Sequence, residues 1–90
     1  MTLIHTLYDE SSDVLYIALG QPKSAYGSEQ PNGLLFRYSY ERDDPCGVTV
    51  FRFAEAWHEN IEGLSAEIAT FLGASMSEVK EAIQAVALTS

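Results

Sequence analysis

The chain reads as an α+β domain, an antiparallel β-meander of about four strands over residues 2 to 53 followed by two C-terminal helices after a short turn of helix. Three observations predict this class. Apolar residues alternate with period two through residues 14 to 20 and 34 to 40, turn-forming clusters separate those runs, and after Phe53 the apolar spacing lengthens to the helical period. All 90 residues belong to one domain, residues 1 to 53 being its sheet part and residues 54 to 90 a helical extension. No repeat, low-complexity tract or linker divides it.

Residues 3 to 8 alternate weakly and predict a first strand. Asp9, Glu10, Ser11 and Ser12 then form a polar turn, because Asp and Ser side chains bond nearby backbone groups. In residues 14 to 20, Leu15, Ile17 and Leu19 share one face and Val14, Tyr16 and Ala18 the other, so this strand is apolar on both sides and is expected to be central or covered on both faces. Residues 21 to 33 hold Pro22, Gly27, Pro31, Asn32 and Gly33 and predict an irregular connection, with a short edge strand around Ala25 to Glu29. Residues 34 to 40 set Leu34, Phe36, Tyr38 and Tyr40 against Leu35, Arg37 and Ser39. Glu41 to Gly47 predicts a hairpin loop, and Val48 to Phe53 a returning strand.

Ala54 to Glu59 predicts a short helix or turn. Leu64, Ile68, Phe71 and Leu72 mark an amphipathic helix that Gly73 stops, and Val79, Ala82, Ile83 and Val86 mark a second. Ser75 and Glu78 have capping-box spacing, which starts the second helix at Met76. The predicted core is Leu15, Ile17, Leu19, Phe36, Phe51, Ile68, Leu72, Val79 and Ile83.

Thirteen acids against five bases give a formal net charge of −8. Residues 1 to 53 carry seven acids and four bases, net −3, and residues 54 to 90 six acids and one base, net −5. Such a field repels nucleic acid and anionic membrane, so neither is an expected partner. Cys46 is the only cysteine, which excludes an intramolecular disulfide. No basic, apolar leader and no membrane-spanning run is present, and a cytoplasmic setting is expected.

The opening Tyr8-Asp-Glu-Ser-Ser-Asp13-Val-Leu-Tyr-Ile-Ala-Leu19 resembles the Y-D-x-x-x-D-x-L-Y-I-x-L start of a bacterial domain-of-unknown-function family, number twenty-two eighty-three. The resemblance covers about residues 7 to 53. Where that family looks to have an Asp-x-Asp-x-x-Gly turn and a Gly-Ile-Glu-Ile strand, this chain has Phe36-Arg-Tyr-Ser-Tyr-Glu41 and Gly47-Val-Thr-Val50. It also continues into two helices that the family's short ending lacks. The resemblance implies a fold and no activity, so it carries no catalytic residue over.

Several constellations bear on chemistry. Asp9, Glu10 and Asp13 offer oxygens to a hard cation, but turn chemistry explains them with fewer assumptions. His58 and Glu62 would share a face if residues 54 to 62 were helical, yet His5 is the only other imidazole and a zinc site needs three or four ligands. Arg37 and Arg52 flank a hairpin and would pair as an anion site if the register set them opposite one another, with ordinary ion pairing as the simpler use. Cys46 has Asp43 and Asp44 beside it, which disfavours a reactive thiolate.

Residues 64 to 83 have the hydrophobic frame of a DNA-binding helix-turn-helix, with Ala69, Leu72, Gly73, Ser75, Val79, Ala82 and Ile83 in place. The surface positions Met76, Ser77, Glu78, Lys80, Glu81 and Gln84 offer one cation against two anions. A plain helical hairpin is therefore expected.

No catalytic set and no cofactor motif emerges. The expectation is a non-enzymatic protein–protein interaction or regulatory module, with a DNA-binding regulator through residues 64 to 83 and a small-molecule or metal-binding protein as alternatives. Tyr8, Tyr16, Phe36, Tyr38, Phe51, Phe53 and Trp57 are more aromatic surface than a small sheet hides, which predicts a homodimer, and Arg37, Arg52, Trp57 and His58 are the candidate interaction residues.

Overall fold

A computed structural model describes residues 4–20 and 24–89, with side chains through residue 86. Five strands, β1 (Ile4–Asp9), β2 (Val14–Leu19), β3 (Ala25–Glu29), β4 (Leu34–Ser39) and β5 (Pro45–Phe51), precede helices α1 (Ile61–Leu72) and α2 (Met76–Thr89). A single π-helical turn, Phe53–Trp57, joins sheet to helices. The expected strand residues 2 and 3 and the start of the connection, 21 to 23, lie outside the described residues.

The α+β class holds, with one strand more than the expected four and a different order. The sheet runs β1-β2-β5-β4-β3, and every neighbouring pair is antiparallel. It is a hairpin (β1, β2) joined to a three-strand meander whose last strand returns beside β2, so that β2 to β5 form a Greek key rather than a simple meander. Composition explains the departure. β3 reads Ala-Tyr-Gly-Ser-Glu, with its last three residues exposed, and suits an edge. β2, apolar on both faces, takes the buried Gly47-Val-Thr-Val50 stretch of β5 as its neighbour instead.

β5 also begins earlier than its apolar run suggests. Pro45 pairs with β4 and Gly47 with both β4 and β2 rather than remaining in the loop, and Cys46 between them is the extra residue at the register shift opposite Arg37 and Tyr38. The shortened turn is closed by Ser39 N–H on the Asp44 carbonyl (2.8 Å) and Asp43 N–H on the Ser39 carbonyl (2.8 Å).

Both helices lie on one face of the sheet, α2 over β1 and α1 over β5. The core between them is Leu15, Ile17, Leu34, Val48, Val50, Phe53, Leu64, Ile68, Ala69, Leu72, Val79 and Ile83. Leu19 and Phe36 pack at its margin. Phe51, expected inside, is 41 % exposed. Side chains alternate along a strand, so turning Val48 and Val50 inward sends Thr49 and Phe51 to the opposite face.

α1 starts where the Asn60 Oδ1 accepts the Gly63 N–H at 3.2 Å, a side-chain cap for a donor the helix itself leaves unpaired. It ends at Gly73, whose φ of 69° is the left-handed conformation that closes a helix. Ser75 then provides the carbonyl for the Val79 N–H (3.1 Å), opening α2 at Met76.

Candidate functional site

Because both helices cover one face, the described residues leave the other face of the sheet bare, and the register shows what it presents. One row across the strands is His5, Ala18, Gly47, Arg37 and Gly27, each paired with the next. The adjacent row is Leu7, Tyr16, Thr49, Leu35 and Glu29, and beyond it Asp9, Val14 and Phe51 complete the face. Leu7 is 66 % exposed, Tyr16 39 % and Phe51 41 %, while Val14 and Thr49 between them are buried. Three large apolar side chains thus stand around a recessed floor.

The recess opens into a cleft of about 320 Å³ lined by His5, Leu7, Tyr16, Ala18, Arg37 and Thr49 among others. Its floor is low because Ala18 and Gly47 face each other across β2 and β5. A Cβ on Gly47 would stand 2.7 Å from the Ile17 carbonyl oxygen, so the strands approach as they do only with glycine there.

Of the four candidate interaction residues Arg37, Arg52, Trp57 and His58, Arg37 alone joins this cleft, which Cys46 also lines. Gly47, not Arg52, sits opposite it, so the two arginines do not form a pair. Arg52 follows the end of β5 with φ 54° and is exposed at the sheet–helix joint. Neither arginine has an ion-pair partner among the described residues. Trp57 packs against the core from the π turn, its buried Nε1 without an acceptor, and His58 is exposed just beyond it. Asn60 interrupts the helix between His58 and Glu62, so these two do not share the helical face that a metal pair needs.

The acids of the first turn have structural partners. Asp9 Oδ1 accepts the Ser11 hydroxyl (2.8 Å) and the Ser11 N–H (3.2 Å), and hydrogen bonds from Ser11 and then Ser12 hold its carboxyl below the usual range. Asp13, at φ 56°, accepts the Tyr8 hydroxyl (2.6 Å) and the N–H groups of Ala54 (2.8 Å) and Glu55 (3.2 Å). Burial pulls its carboxyl upward, but those three donors outweigh burial and leave it lowered. Tyr8 is pushed up to about 12, first by that hydrogen bond. Among the described residues, no group of three His, Cys, Asp or Glu is placed to hold a metal.

The helical surface contrasts with the bare sheet. Glu62, Glu67, Glu78 and Glu81 are exposed on α1 and α2, while Lys80 is half-buried. Toward β3 and β4 a string of rings runs along the same side: Tyr26 stacks on Tyr38 with centroids 5.5 Å apart, Tyr38 meets Phe71 edge-on, and Phe71 stacks on Phe36 at 3.9 Å. Of the aromatic residues counted from sequence, Phe36 and Tyr38 are partly hidden in this way, and Phe53 lies in the core.

Sequence reasoning missed His5 and the Ala18–Gly47 floor as parts of one cleft. Only strand order brings them together, since His5 and Arg37 lie on strands separated by both β2 and β5. The legible signal was weaker: a small residue, Ala18, on the otherwise large outer face of β2. Comparison of the chain with protein-family models, curated proteins and solved structures finds no match. Among the described residues no helix is long and apolar enough to cross a membrane.

Proposed function

We propose that the chain is a non-enzymatic interaction module whose bare sheet face docks a second copy of itself. The observation that carries this reading is the grouping of Leu7, Tyr16 and Phe51, each more than a third exposed, on the one face the helices leave open. Exposed apolar groups gathered on one face gain most when another surface removes them from water. Charge favours the same face. Its acids are Asp9 and Glu29, on the two edge strands, whereas the helices carry Glu62, Glu67, Glu78 and Glu81. Two copies with net charge −8 each repel least when these bare faces meet.

The likeness of residues 7 to 53 to the domain-of-unknown-function family belongs to the same proposal. Tyr8 and Asp13 of the shared opening hydrogen-bond to each other and Leu15 and Ile17 lie in the core, which supports reading that motif as structural. The cytoplasm is the proposed setting, with Cys46 as a free thiol.

The test is mass by light scattering for the wild type and for Leu7→Glu, a substitution at an exposed site that the fold tolerates. The expected result is a dimer that the variant converts to a monomer.

A further inference from the structure

We propose that the cleft between His5 and Arg37 binds a small organic anion, a carboxylate on a flat apolar body. The site shares the bare sheet face with the docking reading and rests on that face being the binding face.

The register brings the two cationic or donor side chains to opposite walls. His5, Ala18, Gly47 and Arg37 form consecutive members of one row, so His5 and Arg37 are separated by three strand spacings, about 14 Å between backbones. Ala18 and Gly47 between them carry too little side chain to fill that gap. Two long side chains reaching inward from such walls leave room for a carboxylate above the floor. A guanidinium offers a planar fork of N–H donors that matches a carboxylate, and an imidazole offers a further N–H.

Arg37 is otherwise unexplained. It is half-buried, its side chain has no ion-pair or hydrogen-bond partner among the described residues, and both of its cross-strand neighbours, Gly27 and Gly47, are glycines. Glu29, two residues along β3 on the same face, does not pair with it. A partly desolvated cation without a counter-charge is costly, and none of the chain's 13 acids is set against it among the described residues. Among the described residues no acid lines the cleft, and Arg37 is the one lining residue of fixed charge. In a protein of net charge −8 this is a local reversal of sign.

Shape sets the rest of the ligand. The cleft of about 320 Å³ falls at the small end of ligand sites. Leu7 and the ring of Tyr16 form an apolar wall beside the His5–Arg37 row, with Thr49 on the floor. A body of one or two rings suits these walls, with its carboxylate toward Arg37.

The experiment is an amide-resolved NMR titration with 2-naphthoate and its neutral isostere 2-naphthamide, on wild type, Arg37→Gln and His5→Gln. Naphthoate is expected to shift the amides of Ala18, Gly47 and Arg37 and to bind about tenfold or more tightly than naphthamide, the size expected for a charge-assisted hydrogen bond. Arg37→Gln should lower naphthoate to the naphthamide level while leaving naphthamide unchanged, and His5→Gln should weaken naphthoate less. Equal binding of the two probes, or shifts centred on Phe36 and Phe71 instead, would overturn the inference. Light scattering on the same samples separates the two proposals. A monomer that prefers naphthoate sustains the anion site and sinks the docking reading, whereas a dimer without the preference does the reverse.

Discussion

The Tyr8 hydroxyl donates to the Asp13 carboxylate at 2.6 Å, and this one contact ties the first hairpin to the joint where sheet becomes helix. Asp13 also receives Ala54 and Glu55 through its side chain and Phe53 through its carbonyl (3.1 Å). The residue lies far before those it secures in the chain, Asp13 and Ala54 being 41 positions apart and Asp13 and Glu55 42. Its carboxylate sits where a helical turn exposes free N–H groups, the place at which negative charge is favoured.

Removing that carboxylate should loosen the joint without touching the bare face. Asp13→Ala is expected to cost about 1 to 2 kcal/mol, the usual loss when a capping acceptor is deleted, with further strain because position 13 has φ 56°. Asp13→Asn keeps an acceptor and tolerates that conformation, so it should lie between wild type and Asp13→Ala. Urea unfolding of the three proteins checks the order.

The same contact predicts a two-sided pH dependence for the wild type relative to Tyr8→Phe. Asp13 is lowered in the folded chain, so its contribution is present above its ordinary value of 3.8 and is lost as pH falls through the lower folded value. Tyr8 is raised from 10.0 to about 12, so its contribution is complete below 10.0 and is lost as pH rises toward 12. Melting temperatures across pH should show the wild-type advantage as a plateau that shrinks at both ends. A difference that stays constant from acid to alkali would show that the hydroxyl contributes nothing through Asp13.

Burial divides residues of similar hydrophobicity sharply. Leu15→Ala should cost about 2 to 5 kcal/mol, because it empties a fully buried site between sheet and helices. Phe51→Ser, at a side chain 41 % exposed, should cost far less despite the larger group removed. Chemical denaturation of both variants distinguishes these outcomes.

Much of this architecture was legible in local pattern. The apolar double face of β2, the edge character of Ala25 to Glu29, the stop at Gly73 and the start at Met76 all follow from side-chain chemistry a few residues wide. Local pattern does not place Phe51, because the phase of β5 depends on its pairing with β2 and Val48 and Val50 take the inward face. Pro45 to Gly47 looked like loop because Pro and Gly usually are, yet an irregular register beside β4 accommodates them. The cleft was least legible of all. His5 and Arg37 become neighbours of one floor only when β5 inserts next to β2, a non-local event that no spacing along the chain encodes.

Residues 64 to 83 should not bind DNA. Leu64, Ile68, Leu72, Val79 and Ile83 are committed to the core, and the outer side of α2 shows Ser77, Glu78, Glu81 and Gln84. Phosphate neutralisation requires several cations, and Lys80 is the one base after residue 53. Anisotropy titration with duplex DNA at low salt is expected to show no binding, and Glu78→Lys with Glu81→Lys to introduce weak, salt-sensitive binding. Tight wild-type binding to one sequence would establish a regulator instead.

The docking claim is tested most directly by the solution mass at tens of micromolar, measured by light scattering for wild type, Leu7→Glu and, as a control on the helical surface, Gln84→Glu. Leu7 and Gln84 are both exposed, so either change leaves the core intact. The expected masses are twice the 9.9 kDa chain for wild type and Gln84→Glu and a single chain for Leu7→Glu. A wild-type monomer, or a dimer that Leu7→Glu leaves whole, would contradict the assignment of the bare sheet face as the docking surface.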